Sequence, residues 1–225
     1  MAEVLKIGNA SAFWGDRPDA PEQLLSRQPD LDYLTLDYLA EVSLSILAIQ
    51  SARDPSAGYA RDFLDVVRSL APRWKSGSKT KLVTNAGGLN PEGCARACRE
   101  VLRESGCDRL SVYVVTGDDV LPLIKSSPRE KSFSNLETGE SITDILDRVV
   151  AANVYLGAKP VAEALKAGAD IVITGRVTDP ALTVGPCVAH FGWSWEDYDR
   201  IAGATTADAT SRSGRNDAAA VWTRS

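Results

Sequence analysis

The chain has 225 residues and a formal net charge of -5. That length favours one large α/β domain over two small ones. The acidic balance argues against nucleic acid, which needs a basic face, and no apolar run reaches the roughly 18 residues of a membrane span.

Leu5–Ala10 reads as a first strand, followed by the polar loop Ser11–Pro18. Pro21–Arg27 is a helix with proline in its first turn. Leu31–Leu36 is a second strand ending at Asp37 and Tyr38. Glu41–Ala52 has helical spacing and is apolar on most sides, so it is expected to be buried. Asp54–Gly58 breaks it, and Tyr59–Trp74 is the next helix. Lys81–Thr84 is a third strand, and the turn Asn85-Ala86-Gly87-Gly88-Leu89-Asn90 leads into a helix from Pro91 to Ser105, stopped by Gly106. Leu110–Val115 is a fourth strand, leading to Gly117-Asp118-Asp119, and Lys125–Glu140 is a polar excursion. Ala152–Leu156 is a fifth strand, Pro160–Ala167 a helix, and Asp170–Thr174 a sixth strand ending in Gly175-Arg176. Strand, loop and helix in alternation imply an α/β fold: a mainly parallel sheet with helices on both faces, in Rossmann-like layering.

In such sheets ligands lie at the carboxyl ends of the strands. Here those ends carry Asn9, Ser11, Asp37, Asn85, Asn90, Asp118 and Arg176. Gly87 and Gly88 let backbone approach a ligand, and the helix start beyond them favours an anion. Asn90 is placed to cap that helix. Arg176 offers a fork for a carboxylate or phosphate, with Asp179 placed to hold it. The expected ligand-binding set is therefore Asn9, Ser11, Asn85, Gly87, Gly88, Asn90 and Arg176. Asp37, Glu41 and Asp118 are the candidates for proton transfer. Asp118 and Asp119 also have the character of a Mg²⁺ pair, against a plainer capping or solvated role. No cofactor can be assigned: Walker, Gly-x-Gly-x-x-Gly and Gly-x-Ser-x-Gly motifs are all missing. The one histidine, His190, excludes a His-rich metal site and, sitting in an aromatic stretch, reads as packed; no metal ligand is assigned. Cys94, Cys98, Cys107 and Cys187 read as buried free thiols.

Taken together, several stretches resemble the acyclic terpene utilisation family, long catalogued as a domain of unknown function. They are Ile7–Arg17, Leu36–Glu41, Asp54–Ala60, Thr84–Pro91, Gly117–Asp119, Asn153–Ala158 and Ile173–Leu182. The resemblance runs from about Lys6 to Thr205. It implies a role in catabolism of acyclic, branched isoprenoids through acyl-CoA thioesters, and supplies no catalytic residue to carry over. After Thr205 the chain departs from the family pattern and lacks apolar periodicity, so residues 1–205 form the expected domain and 206–225 a disordered tail. Codons exist for Ala209–Arg212 that spell His-Ile-Thr-Glu one frame over, and Ala218–Trp222 likewise allow Gly-Gly-Ser-Leu; a reading-frame shift is the expectation that follows.

Three functions remain open on these residues. One is an enzyme, or fragment of one, acting on a small carboxylate or acyl-CoA. The second is a non-catalytic binding or accessory subunit of a degradative complex. The third is an inactive truncated product. No nucleic acid and no membrane partner is expected, a homo-oligomer is open, and the start Met1–Lys6, which lacks signal-peptide blocks, implies a cytoplasmic location.

Overall fold

A computed structural model describes residues 4–127, 133–213 and 218–223, with backbone alone for 210–213 and 218–223. The elements are β1 (Val4–Ser11), α1 (Ala20–Arg27), β2 (Tyr33–Leu36), α2 (Glu41–Arg53), α3 (Phe63–Lys75), β3 (Lys81–Thr84), α4 (Pro91–Glu104), β4 (Val112–Val115), α5 (Leu121–Ser126), α6 (Lys159–Lys166), β5 (Ile171–Thr174), α7 (Ala181–Phe191), α8 (Tyr198–Ser213) and β6 (Ala218–Thr223). One sheet runs β4-β5-β3-β2-β1-β6. Its first five strands are parallel, and β6 lies antiparallel beside β1.

The layering follows from the hand of the crossovers. Parallel connections are right-handed. Steps from β1 to β2, β3 and β4 all move one way, so α1, α3 and α4 cover one face. The step from β4 back to β5 reverses direction and sends α6 to the other face, joined by α7 and α8. Side chains follow this division. Leu24, Leu34, Leu36, Phe63, Leu70, Leu82, Leu102 and Ile173 fill one core. Ile7, Val83, Val161, Val172, Leu182, Val188 and Ala204 fill the other. The four cysteines are free and buried. No helix among the described residues is long and apolar enough to cross a membrane.

Four segments differ from the sequence reading. Residues 152–156 do not join the sheet. Asn153 and Leu156 make only isolated bridges, to Asp119 and Val177. β5 already occupies the inner edge of β4, and the 152–156 backbone bonds instead to two loops: Val154 N–H to the Asp118 carbonyl at 2.8 Å and Leu156 N–H to the Arg176 carbonyl at 3.2 Å. Helix α2 buries Ser43, Leu47 and Ala48 but exposes Val42, Ile46 and Ile49, because only its Leu47 side meets the core. Helix α7 carries His190 and spans Gly185 and Pro186, residues that disfavour helix; Gly185 is tolerated because a Cβ there would meet Val161 Cγ1 at 2.6 Å, so α6 and α7 pack unusually closely. Past Thr205, where a disordered tail is expected, the described residues are regular: α8 runs on to Ser213, and β6 hydrogen-bonds along the outer edge of β1. Asp208 is buried and accepts from Thr183 Oγ1 at 2.6 Å, so a polar anchor holds this stretch where apolar periodicity is missing. Part of the polar excursion, residues 128–132, lies outside the described residues.

Candidate functional site

β3 and β5 are neighbours whose following helices, α4 and α7, leave to opposite faces. That is the switch point at which open α/β sheets form a crevice. Here the crevice floor is closed by a knot of polar atoms. Asn85 Nδ2 donates to Asp37 Oδ1 at 2.7 Å, and Asn85 Oδ1 accepts from Tyr38 N–H at 2.6 Å. Asp37 Oδ1 also accepts from Leu39 N–H at 3.2 Å, and Ser11 Oγ donates to the Asp37 carbonyl at 3.1 Å. Asn9 Oδ1 accepts from Ser11 N–H at 3.2 Å. All four residues are buried. Their polar groups serve one another, as buried polar groups must.

The glycine turn belongs to the same knot. A Cβ at Gly87 would lie 2.5 Å from the Thr174 carbonyl oxygen. Gly88 has φ +55, and a Cβ there would meet Leu47 and the Gly58 carbonyl. Leu89 N–H donates to that Gly58 carbonyl at 2.8 Å. Asn90 caps α4 through Gly93 N–H at 2.9 Å while its Nδ2 donates to the Ala57 carbonyl at 2.9 Å. The Asn90 side chain is thus committed on both ends to the fold, with the cap occupying an amide that an anion would need. The glycines answer to close packing of the turn itself against the end of β5, the start of α4, Leu47 of α2 and the Gly58 loop.

The open cleft lies beside this knot. One part, of about 230 Å³, is bordered by Gly88–Glu92, Thr116–Asp119 and Asn153. A second part, of about 470 Å³, is bordered by Ala48, Ser51, Ala52, Leu121, Lys125, Asp147 and Val149–Ala151. Leu89, Asp119 and Asn153 line both, so the two adjoin as one groove; each part mixes polar and apolar lining, and the second sets Lys125 and Asp147 among Ala48, Leu121 and Val149–Ala151. Of the three proton-transfer candidates only Asp118 reaches it. Its Oδ2 accepts from Arg176 N–H at 2.8 Å and from Asn153 Nδ2 at 2.9 Å, which fixes the carboxylate. Gly175 makes room for it, since a Cβ there would lie 2.4 Å from Asp118 Oδ1. Asp119 accepts from Leu121 N–H, the first residue of α5, at 3.0 Å. Among the described residues no three His, Cys, Asp or Glu side chains gather as a metal cluster.

Arg176 anchors the far wall. It is 3% exposed. Nη1 donates to the Leu39 carbonyl at 3.0 Å and to Asp179 Oδ1 at 2.9 Å. The guanidinium carbon stacks 4.0 Å from the Tyr155 ring centroid. Nε has no hydrogen-bond partner among the described residues. Burial works against the Arg176 charge, but the Tyr155 oxygen and Asp179 outweigh it and raise its pKa above the ordinary value. Glu41, 3.8 Å from Arg176 Nη2, is an exposed carboxylate that accepts from the Tyr155 hydroxyl. That hydrogen bond, with Arg176 beside it, holds Glu41 below the ordinary carboxylate range, so it stays ionised near neutrality. The sequence pattern marked Arg176, Asp179 and Glu41 but passed over Tyr155 and Asn153, which it assigned to a strand. Their alternation looks like a strand's, and nothing local shows that their partners are 114 and 35 residues away.

A family model described as "Acyclic terpene utilisation family protein AtuA" matches residues 5–209. The chain belongs to this family. The match reaches past Thr205 and takes in Asp208, the buried residue of α8. Comparison with curated proteins and with solved structures finds no match. The AtuA name points to acyclic terpene utilisation, and the groove is the feature of this AtuA-family domain on which a functional reading rests.

Proposed function

We propose that this AtuA-family domain binds a branched acyl compound as its thioester and acts on it. The hydrocarbon would lie along the arm formed by Ala48, Leu89, Leu121, Val149 and Val150, and the acyl carbonyl at the polar end by Asp118 and Asn153. The observation that carries this reading is the two-part groove, in which the apolar side chains of one part, interrupted by Lys125 and Asp147, lead to the fixed Asp118 carboxylate in the other. Charge decides the form of the ligand. Glu92, Asp118 and Asp119 border the polar end, and like charges at close range disfavour a free carboxylate there. A thioester carbonyl carries no charge and escapes that repulsion so long as the CoA phosphates lie outside the groove, and Asp118 would exchange a proton beside it. Arg176 supports this wall through its backbone amide and takes no direct part in holding the ligand.

A second reading, a binding or accessory subunit without catalysis, draws support from the separation of the candidate carboxylates. Asp37 is tied into the Asn85 knot, and Glu41 sits on the surface with Tyr155.

Calorimetric titration with a branched acyl-CoA, its free acid and CoA alone tests the site. The acyl-CoA is expected to bind at least tenfold tighter than the free acid, and Val150→Asp to weaken it at least tenfold with little change in melting, since Val150 is exposed. Equal binding of acid and thioester, or no effect of Val150→Asp, would sink the reading. Asp118→Asn separates the two alternatives: binding kept with conversion of the acyl-CoA lost marks an enzyme, whereas wild-type protein that binds without any turnover marks a carrier.

A further inference from the structure

Helix α2 turns an uncharged face outward. It is formed by Val42, Ser45, Ile49 and Ala52, spaced three, four and three residues apart, with Ile46 alongside. Val42 and Ile49 are 71% and 56% exposed. Charge appears only at the two ends of this face, as Glu41 and Arg53. The three-four-three spacing is that of a helix seam that meets another helix.

We propose that α2 pairs with α2 of a second copy of this chain, antiparallel across a two-fold axis. The sequence of the face is self-complementary in one register. Setting Glu41 of one copy opposite Arg53 of the other also sets Val42 opposite Ala52 and Ser45 opposite Ile49. Every layer then joins a branched residue to a small one, which lets side chains interdigitate at close approach. Opposite charges meet at both ends, and the two helix dipoles run antiparallel. A parallel pairing would instead stack valine on valine, serine on serine and like charge on like charge. A two-fold contact uses the same patch on both subunits and closes on itself, so it yields a dimer and no open polymer. Glu41 keeps an exposed carboxylate for Arg53 of the other copy while accepting from Tyr155. Ala52 also borders the groove, so the pairing brings the second copy to the groove rim; the face itself needs no ligand to form.

Sedimentation velocity on the full chain at micromolar to tens-of-micromolar concentration is expected to show a species of twice the chain mass. Ile49→Glu should return it to a monomer that melts cooperatively, below wild type only by the concentration-dependent stabilisation that dimerisation adds, because Ile49 lies outside the core. Register is read by disulfide trapping: a mixture of Ser45→Cys and Ile49→Cys chains should cross-link on mild oxidation, and neither variant alone should. The native thiols do not interfere, being buried. A wild-type chain that stays monomeric, or an Ile49→Glu chain that still dimerises, overturns the proposal. Cross-linking that is equally strong within each single variant overturns the antiparallel register.

Discussion

Two polar regions sit side by side at the carboxyl edge of this sheet, and they differ in what their polar atoms do. In the turn between β3 and α4, the side chains of Asn85 and Asn90 bond to Asp37 and to the fold, even though Gly88 and Asn90 also border the groove. At the ends of β4 and β5, Asp118 and Asn153 face an open groove, backed by Arg176 on Tyr155. The glycine-rich turn looks more like a binding motif in sequence, yet its glycines exist because a Thr174 carbonyl, Leu47 and Gly58 leave no room for a Cβ. Glycine marks close approach, and the thing approached can be the protein itself.

Substitutions in the two regions should therefore separate stability from binding. The largest expected effect is Gly87→Ala. Its Cβ would lie 2.5 Å from the Thr174 oxygen and 2.8 Å from Pro91 Cα, both backbone atoms, so the turn must move; a loss of about 3 kcal/mol in chemical denaturation is expected, at the upper end of overpacking costs. A Gly87→Ala chain within about 0.5 kcal/mol of wild type would mean that the turn is open after all. Asn90→Ala should cost about 1–2 kcal/mol, the loss of an N-cap plus a bond to the 54–58 loop. Its acyl-CoA affinity, corrected for the fraction folded, should not change; a tenfold loss would return Asn90 to the ligand-binding set.

The smallest effect is a titration. The ordinary value for Glu41 is 4.5, and its folded value lies below that, held there by Tyr155 first. A depressed carboxylate contributes stability that is fully present above its unfolded value and is lost as the pH falls through the folded one. The Tyr155–Glu41 latch should thus persist at pH 5 and release only below the ordinary carboxylate range. Carboxyl-carbon NMR should place the Glu41 midpoint below 4.5, and Tyr155→Phe should move it back up. A midpoint indifferent to Tyr155→Phe would show that the latch does not form in solution.

How much of this was legible depended on the range of the interactions involved. Strand β3 and the start of α4 could be read directly, because Lys81–Thr84 is bounded by lysine and asparagine and Asn90-Pro91 combines a cap with a first-turn proline. Short-range chemistry writes itself into neighbouring residues. The Arg176–Asp179 pair was legible for the same reason, at a separation of three residues. The role of Tyr155 was not, since it depends on Arg176 and Glu41 arriving from elsewhere in the chain. Nor was the exposure of α2: an apolar pattern tells that a face seeks cover, and is silent on whether the same chain supplies it. Helix α7 escaped notice because Gly185 and Pro186 lower local propensity, while its packing on α6 overrides them.

The cysteines carry a consequence for how this molecule fails. Cys94, Cys98, Cys107 and Cys187 are all buried, and burial lifts the thiols of Cys98 and Cys187 to about 12. While folded, the four thiols are shielded from oxidants and alkylating agents, because they are buried. Each opening event exposes thiols at ordinary acidity, three of which share the core beneath α4. An unfolding that would otherwise reverse is then recorded covalently, so that in an oxidising buffer the lifetime of the protein is set by how often it opens.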